Sequence, residues 1–440
     1  MITIEDLYKL YLSHPIVSTD TRKLPKGCLF FALRGANFDG NKYAGAALEA
    51  GAAYAIIDEA DQLIDERTIL VPDVLQALQL LAAHHRRALG IPVIAITGTN
   101  GKTTTKELTA AVLSQSYHLL YTEGNLNNHI GVPLTLLRLT PEHQLALIEM
   151  GASKPGDIAE LCAIAQPNYG LITNIGQAHL EGFGSLEGVR RTKGELYDSV
   201  RAREGILFYH EEDEVLRQMS LGTERISYGS SPKAYIQGVA SPSTGESLFL
   251  HFSWSCPILE MSAREVQTQL VGDYNLANAL AAIAIGLYFD VPSDKIDEAL
   301  TSYCPSNSRS QLIHSERGNQ IIADAYNANP SSMRTALSNF LAIEPALRPR
   351  IVILGDMNEL GASSHEAHQE LYQKLSSTTT PPLEIYLCGP HWREELGDQP
   401  QVYPNVEELI AHIEAHPITK SLILVKGSNS IHLGKLLPYL

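Results

Sequence analysis

The sequence predicts an α/β protein of three domains, built around a central, doubly wound parallel sheet of the phosphate-loop type. The chain has 440 residues, which is more than a single hydrophobic core usually supports. Apolar, strand-like runs alternate with helical patterns along most of it, as is typical of parallel sheets with helices on both faces. A Gly-rich turn at residues 98–101 joins one of these strands to the next helix.

Composition shifts and the strand pattern divide the chain into three predicted domains. Residues 1–85 read as a small α/β unit, in which short strands flank an Ala-rich helix over 43–50. Residues 86–308 carry the longest run of alternating strands and helices, and we expect the main sheet there. Residues 309–440 resume the alternation and predict a smaller, Rossmann-like domain.

Within the central domain, the apolar, β-branched run 91–97 is typical of a buried parallel strand and precedes a helical pattern over 103–114. Residues 232–263 break the alternation and predict an antiparallel edge, and the helix 275–287 closes the domain. The C-terminal domain has four predicted strands, at 321–323, 351–354, 385–388 and 422–425.

Composition and charge exclude several classes of protein. The formal net charge of −16 argues against a nucleic-acid-binding protein, whose binding surface is basic. No apolar run approaches about 18 residues, and the N-terminus lacks a secretory signal, so neither membrane insertion nor export is expected. Five scattered cysteines form no CxxC pair. We expect a cytoplasmic protein with reduced thiols, acting as a monomer.

The turn after the first central strand has the composition of a phosphate-binding loop. Its glycines let successive N–H groups point at phosphate oxygens, Lys102 can bridge the β- and γ-phosphates, and the Thr103 hydroxyl can ligate Mg²⁺. The general pattern has an earlier glycine where this chain has Ile96, so a Gly-rich turn with a solvated lysine is the alternative. The context of strand, turn and helix favours ATP. The predicted ATP contacts here are Gly98, Thr99, Asn100, Gly101, Lys102, Thr103 and Thr104.

Three further polar residues follow predicted strands or lie in the next helix. Glu149 ends an apolar strand, where a carboxylate can hold the ion that bridges ATP phosphates; a capping or ion-pairing glutamate is the alternative. His179 lies just past another strand, and considered alone it is equally a surface histidine. Lys193 lies in the helix that follows, where a solvated lysine is the alternative.

These residues belong to a set of motifs that resembles the Mur ligase family over nearly the whole chain, and within it the members that add D-alanyl-D-alanine. In that family the phosphate loop is shortened in the same way. The string at 324–330 is the discriminating one, because members that add the preceding diamino acid, and folylpolyglutamate synthases, differ there. The motifs that carry the resemblance are 98–105, 122–128, 130–133, 149–153, 173–179, 324–330, 355–361 and 426–428.

The resemblance implies an ATP-dependent ligase that joins D-alanyl-D-alanine to a UDP-N-acetylmuramoyl tripeptide through an acyl phosphate. It implies two Mg²⁺ sites: Thr103 and Glu149 at the first, and His179 at the second. Lys193 matches the lysine that this family carbamylates. An ammonium about 4 Å from a divalent ion, at an effective dielectric of about 20, is opposed by roughly 8 kcal/mol, and a carbamate reverses the sign of that interaction. Lys102, Glu149, His179 and Lys193 are therefore the implied catalytic set.

The resemblance also implies contacts in the two outer domains, which must close on the central one. Asn327 and Asn329 approach the adenosine, Arg309 reaches the nucleotide near the interdomain hinge, and Asn275 adds a further ATP contact. The implied UDP-substrate residues of the N-terminal domain are Asp20, Thr21, Arg22, Gly35 and Asp39.

Two other functions remain open at this point. One is another amide ligase of the same family, which adds a single amino acid to a UDP-muramoyl peptide or glutamate to folate. The other is a non-catalytic nucleotide-binding protein that has kept the fold, although the intact set from Lys102 to Lys193 argues against it.

Overall fold

The structure is a computed structural model, and it describes residues 2–35, 37–177, 180–241, 248–305, 309–343, 348–378 and 383–440. His179, one of the predicted metal ligands, lies outside the described residues. Among the helices of the described ranges, none has the length and apolar character needed to span a bilayer.

The N-terminal unit is a small α/β layer. Its elements are α1 (Ile4–Ser13), β1 (Val17–Ser18), β2 (Leu29–Phe31), β3 (Arg34–Gly35), β4 (Phe38–Asp39), α2 (Ala44–Glu49), β5 (Tyr54–Ile57), β6 (Thr68–Leu70) and α3 (Val74–Leu89). The described strands β1, β2, β5 and β6 form a parallel sheet in that order. The Asp73 side chain caps α3 by accepting the Gln76 N–H at 2.7 Å, and Gly90 ends the helix in a left-handed conformation.

The central unit contains the largest sheet. Its elements are β7 (Val93–Thr97), α4 (Lys102–Leu113), β8 (Leu119–Tyr121), α5 (Gly131–Leu136), β9 (Leu145–Glu149), α6 (Asp157–Ala165), β10 (Tyr169–Ile172), α7 (Leu180–Phe183), α8 (Leu186–Arg201), β11 (Ile206–His210), α9 (Glu214–Met219), β12 (Glu224–Gly229), β13 (Ile236–Ala240), β14 (Phe249–Cys256), β15 (Met261–Val271), α10 (Leu276–Tyr288) and α11 (Ser293–Ser302).

In the described part of this sheet the strand order is β15-β14-β13-β12-β11-β10-β7-β9-β8. Pairing is parallel from β8 to β13 and antiparallel from β13 to β15, so the predicted antiparallel edge is confirmed. Strand β7 is buried along its whole length and lies between β9 and β10. Strand order reverses at β7, because β8 and β9 lie on one side of it and β10 to β15 on the other. Such a topological switch point is where open α/β sheets bind ligands.

The C-terminal unit is a second doubly wound layer. Its elements are β16 (Gln311–His314), β17 (Gln320–Asp324), α12 (Pro330–Ala342), β18 (Arg350–Gly355), α13 (Ser364–Ser376), β19 (Leu383–Cys388), α14 (Pro390–Leu396), β20 (Val402–Tyr403), α15 (Val406–Ala415) and β21 (Leu422–Lys426). The described strands run in the order β16-β17-β21-β18-β19-β20, and all neighbours except β16 and β17 are parallel. The predicted fold class is therefore confirmed.

The predicted domain boundaries stay predictions. The boundary at 85/86 falls inside α3, which packs against both α1 and α5. The predicted boundary at 308/309 falls at the edge of the described range that begins at residue 309.

Candidate active site

A cavity of about 860 Å³ lies between the carboxyl ends of the central strands and the C-terminal unit. It is lined by the loop after β7, by Glu149 at the end of β9, and by residues that follow β17 and β21. Every predicted ATP-binding residue except Gly98 contributes to the lining. The structure thus brings together side chains that are more than 200 positions apart in sequence.

The loop after β7 depends on glycine at two positions. Gly98 has a φ of 145° and Gly101 a φ of 77°, both in the region that favours glycine. A Cβ on Gly98 would lie 2.0 Å from Thr173 Oγ1, and that hydroxyl itself donates to the Asn100 carbonyl at 2.6 Å. The loop therefore lies directly against the segment after β10, with no room for a side chain at Gly98.

Substitution Gly98→Ala is expected to lower the free energy of unfolding by about 1–3 kcal/mol. The added methyl group must displace the Thr173 side chain, and alanine disfavours the backbone conformation that Gly98 adopts. It should also weaken ADP binding, measured by calorimetry. Gly434→Ala is the matched control, since its Cβ meets nothing within 4 Å. Unchanged melting and unchanged ADP affinity in Gly98→Ala would contradict this account of the loop.

Lys102, the first residue of α4, folds back over the loop. Its Nζ donates to the Gly98 carbonyl at 2.7 Å and to the Thr99 carbonyl at 2.9 Å. Burial lowers the pKa of Lys102 to about 8, and the charge of nearby Glu149 opposes that shift. The side chain is half-buried and hydrogen-bonded, unlike the solvated lysine of the alternative interpretation.

Glu149 is almost completely buried, with 1% of its surface exposed. Its Oε1 accepts the Thr103 hydroxyl at 3.1 Å and the Asn127 amide at 2.7 Å. Among the described residues, nothing donates a hydrogen bond to the buried Oε2. A buried carboxylate oxygen without a donor is unfavourable unless a cation occupies its place. Oxygen ligands of this kind suit Mg²⁺, so the residues present fit a divalent ion.

Lys193 lies on the inner face of α8 with 3% of its surface exposed, so the solvated alternative is wrong. Its Nζ is 5.6 Å from the centroid of the Phe183 ring. Burial, together with the positive charge of Lys102, lowers the pKa of Lys193 to about 7. The negative charge of Asp157 acts in the opposite direction and raises this pKa. Lys193 does not itself line the cavity. Its predicted neighbour His179 lies outside the described residues, so their separation stays untested.

The phosphate loop and the C-terminal unit make direct contact at one asparagine. The Asn329 amide donates to Asn100 Oδ1 at 2.7 Å, and the Asn100 amide donates to Ser331 Oγ at 2.8 Å. Asn329 also caps α12 through the N–H of Ser332 at 2.9 Å. The structure therefore has the C-terminal unit closed onto the loop, with the N-terminus of α12 facing it.

The other residues that are predicted to contact the nucleotide interact with neighbouring residues of the protein around the cavity. The Arg309 guanidinium carbon lies 3.6 Å from the centroid of the Tyr326 ring. The Asn275 amide donates to the Val271 carbonyl at 2.9 Å. The Asn327 carbonyl accepts Lys426 Nζ at 3.1 Å. These contacts order the rim of the cavity.

Sequence reasoning missed several lining residues. Asn127 and Tyr326 lie inside the family motifs 122–128 and 324–330, but the resemblance assigned neither residue a role. Asn174, whose Oδ1 accepts the Asn100 N–H at 3.0 Å, also lies inside such a motif. No sequence pattern around Ser331 indicates its role, because that role depends on its hydrogen bond with Asn100 in the central unit.

The predicted UDP-substrate residues all lie in the N-terminal unit, and none lines the described cavity. Arg22 and Asp20 form an exposed ion pair at 2.7 Å beside Thr21. Gly35 and Asp39 lie on the β3–β4 hairpin, where Asp39 accepts the Asn41 N–H at 3.1 Å. Their role stays a prediction.

Family models match three successive segments of the chain. The model for the Mur ligase family catalytic domain matches residues 15–86, the Mur ligase middle domain matches 96–286, and the Mur ligase glutamate ligase domain matches 308–429. Together they span most of the sequence.

Individual relatives match over nearly their full length. The UDP-N-acetylmuramoyl-tripeptide–D-alanyl-D-alanine ligase of Escherichia coli strain K12 is 39% identical over 428 residues, which cover 94% of this chain and 91% of the relative. A crystal structure of MurF from Acinetobacter baumannii has a TM-score of 0.83 at 31% identity, covering 96% and 92%. A MurF ligase of Thermotoga maritima in complex with ADP has a TM-score of 0.84 at 25% identity and covers 97% of both chains.

Proposed function

This chain belongs to the Mur ligase family, and from that premise we propose that it is the ATP-dependent ligase that adds D-alanyl-D-alanine to UDP-N-acetylmuramoyl tripeptide. The single observation that supports the chemistry is the cavity in which the phosphate loop, Lys102 and the buried Glu149 face the C-terminal unit. The observation that carries the substrates is the similarity to relatives of that name over more than nine-tenths of the chain.

The reaction makes an unreactive carboxylate reactive. ATP transfers its γ-phosphoryl group to the terminal carboxylate of the tripeptide, and the amine of D-alanyl-D-alanine then displaces phosphate from the acyl phosphate. The products are the amide, ADP and phosphate. Transfer between two anions is chiefly a problem of positioning and charge screening, so no nucleophilic side chain is required.

The chain's own residues supply positioning and exclude water. N–H groups at the start of α4 and the Lys102 ammonium bind phosphate oxygens, for which Lys102 must leave the carbonyl groups of Gly98 and Thr99. Asn100, Asn329 and Ser331 hold the C-terminal unit against the loop. Closure of this kind protects an acyl phosphate from hydrolysis.

We propose that Thr103 and Glu149 hold one Mg²⁺, and that His179 and a carbamate on Lys193 hold a second. The ions screen the phosphate charges when bound. The orphaned Oε2 of Glu149 supports the first site. For the second, burial that brings the pKa of Lys193 to about 7 supports carbamylation, because CO₂ reacts with a neutral amine.

We also propose that the protein acts in the cytoplasm. All five cysteines are free thiols, as expected in a reducing cytoplasm. We propose that the chain acts as a monomer. Asp20, Thr21, Arg22, Gly35 and Asp39 are proposed to bind the UDP-linked substrate.

The test is phosphate release from ATP by the purified chain with each acceptor omitted or exchanged. We expect release only when UDP-muramoyl tripeptide and D-alanyl-D-alanine are both present. Single amino acids, or glutamate with folate, should give none. Release with a single amino acid would favour another ligase of the family, and ATP binding without release under any condition would favour a non-catalytic protein.

A further inference from the structure

A lysine is completely buried in α4, one turn behind the phosphate loop. Lys106 has 0% of its surface exposed, and it lies three residues after Thr103, so both side chains project from the same face of the helix. Lysine is almost never fully buried unless it is paired, because its ammonium group loses hydration. The contacts of Lys106 therefore indicate what its charge does in this position.

The Lys106 ammonium group fixes the chain where strand β8 ends. Its Nζ donates to the Thr122 carbonyl at 2.7 Å and forms an ion pair with Glu107, whose side chain is 31% exposed. The same Nζ lies 5.5 Å from the centroid of the Tyr121 ring. Two hydrogen bonds and one aromatic contact thus account for its three donors. Lys106 thereby joins α4 to the first residue after β8.

Thr122 connects this anchor to Glu149. The Thr122 side chain is completely buried, and its Oγ1 accepts the Glu149 N–H at 3.0 Å. The same segment continues to Asn127, whose amide donates to Glu149 Oε1 at 2.7 Å. Glu149 is therefore held at its backbone and at one carboxylate oxygen by residues 122–127, and Lys106 fixes the start of that segment.

This arrangement determines the direction of the other carboxylate oxygen. Glu149 Oε2 is buried, receives no hydrogen bond from the described residues, and is the proposed ligand of Mg²⁺. Mg²⁺ requires nearly ideal octahedral geometry at short distances, so a small rotation of the carboxylate weakens its binding. Groups that orient a metal ligand without touching the metal commonly change its affinity for this reason.

We propose that Lys106 is a positioning residue for the divalent ion, which holds Glu149 through Thr122 so that Oε2 faces the cation. Neither Lys106 nor Thr122 lines the cavity, so neither touches the nucleotide. The inference rests on the proposed function and its first Mg²⁺ site. It adds a residue that acts on the metal from the opposite side of α4.

The test is calorimetry of ADP binding to Lys106→Met at increasing Mg²⁺ concentration. Methionine fills the space of the lysine chain but cannot donate to the Thr122 carbonyl. We expect the Mg²⁺ concentration that gives half of the tightening of ADP binding to rise roughly 10-fold. ADP binding without metal should not change, because the phosphate loop is untouched.

A second variant tests whether the effect passes through Thr122. Thr122→Val keeps the size of the side chain and removes the hydroxyl group that accepts the Glu149 N–H. It should raise the required Mg²⁺ concentration by a similar factor. The double variant of Lys106→Met and Thr122→Val should show little further rise, because both changes interrupt the same chain of contacts.

A control variant separates positioning from a general loss of stability. Lys106→Met leaves a buried carbonyl without its donor and should lower the melting temperature. Val112→Ala creates a cavity on the same helix, where Val112 is 0% exposed, and should also lower the melting temperature while keeping the wild-type Mg²⁺ dependence.

Three results would overturn this inference alone. They are a wild-type Mg²⁺ dependence in Lys106→Met, an equal shift in Val112→Ala, and full addition of the two effects in the double variant. A wild-type protein whose ADP binding does not respond to Mg²⁺ would instead overturn the proposed metal site, and this inference with it.

Discussion

Replacement of Lys193 by alanine is expected to reduce amide formation by roughly 10- to 100-fold, the scale for losing a group that supports a bound metal. Lys193 is buried on α8, and burial, together with the positive charge of Lys102, lowers the pKa of its amine to about 7. As a carbamate it would supply an anionic oxygen pair, which alanine cannot. Phosphate release with both substrates measures the loss, and added formate or acetate should restore part of it by entering the vacated space.

The same proposal predicts a dependence on pH and CO₂. The pKa of Lys193 is lowered to about 7, so its neutral form becomes available as the pH rises through that value. Activity at limiting CO₂ should therefore rise across this range and respond to added bicarbonate. Arg191→Ala, an exposed cation on the same helix, should keep full activity. Full activity in Lys193→Ala, or an equal loss of activity in Arg191→Ala and Lys193→Ala, would remove the carbamate assignment.

Much of the fold could be predicted because buried parallel strands are continuous apolar runs. The strand predicted at 91–97 is Val93–Thr97, and the helix predicted at 214–219 is Glu214–Met219. The elements that were missed carry weaker local patterns. Strand β8 has three residues, too few to show a period, and β12 begins with the charged Glu224 and Arg225.

The candidate site could be predicted where its residues are neighbours in sequence. The phosphate loop is seven consecutive residues, and Glu149 is recognisable because it ends an apolar strand. The contact of Asn100 with Asn329 and Ser331 could not be predicted in this way, since those residues are 229 and 231 positions away.

Substitution Glu149→Gln is expected to lower turnover by about 100- to 1,000-fold, the cost of removing one fixed electrostatic group from a reacting centre. Glutamine keeps the size of the side chain and an oxygen that can accept from Thr103 and Asn127. It replaces the orphaned Oε2 by an amide N–H₂, which cannot ligate a cation. The change therefore removes the ion while leaving the packing around Glu149 in place.

Calorimetry with ADP distinguishes this effect from a loss of folding. In the wild type, Mg²⁺ should tighten ADP binding, and in Glu149→Gln that dependence on Mg²⁺ should disappear while metal-free ADP binding remains. Thermal melting should change little, because a buried charge and its desolvation cost are lost together. Glu142→Gln, an exposed glutamate shortly before β9, should retain the Mg²⁺ dependence. If Glu149→Gln keeps it too, Glu149 is a structural hydrogen-bond acceptor for Thr103 and Asn127, and the divalent ion must be held by other residues.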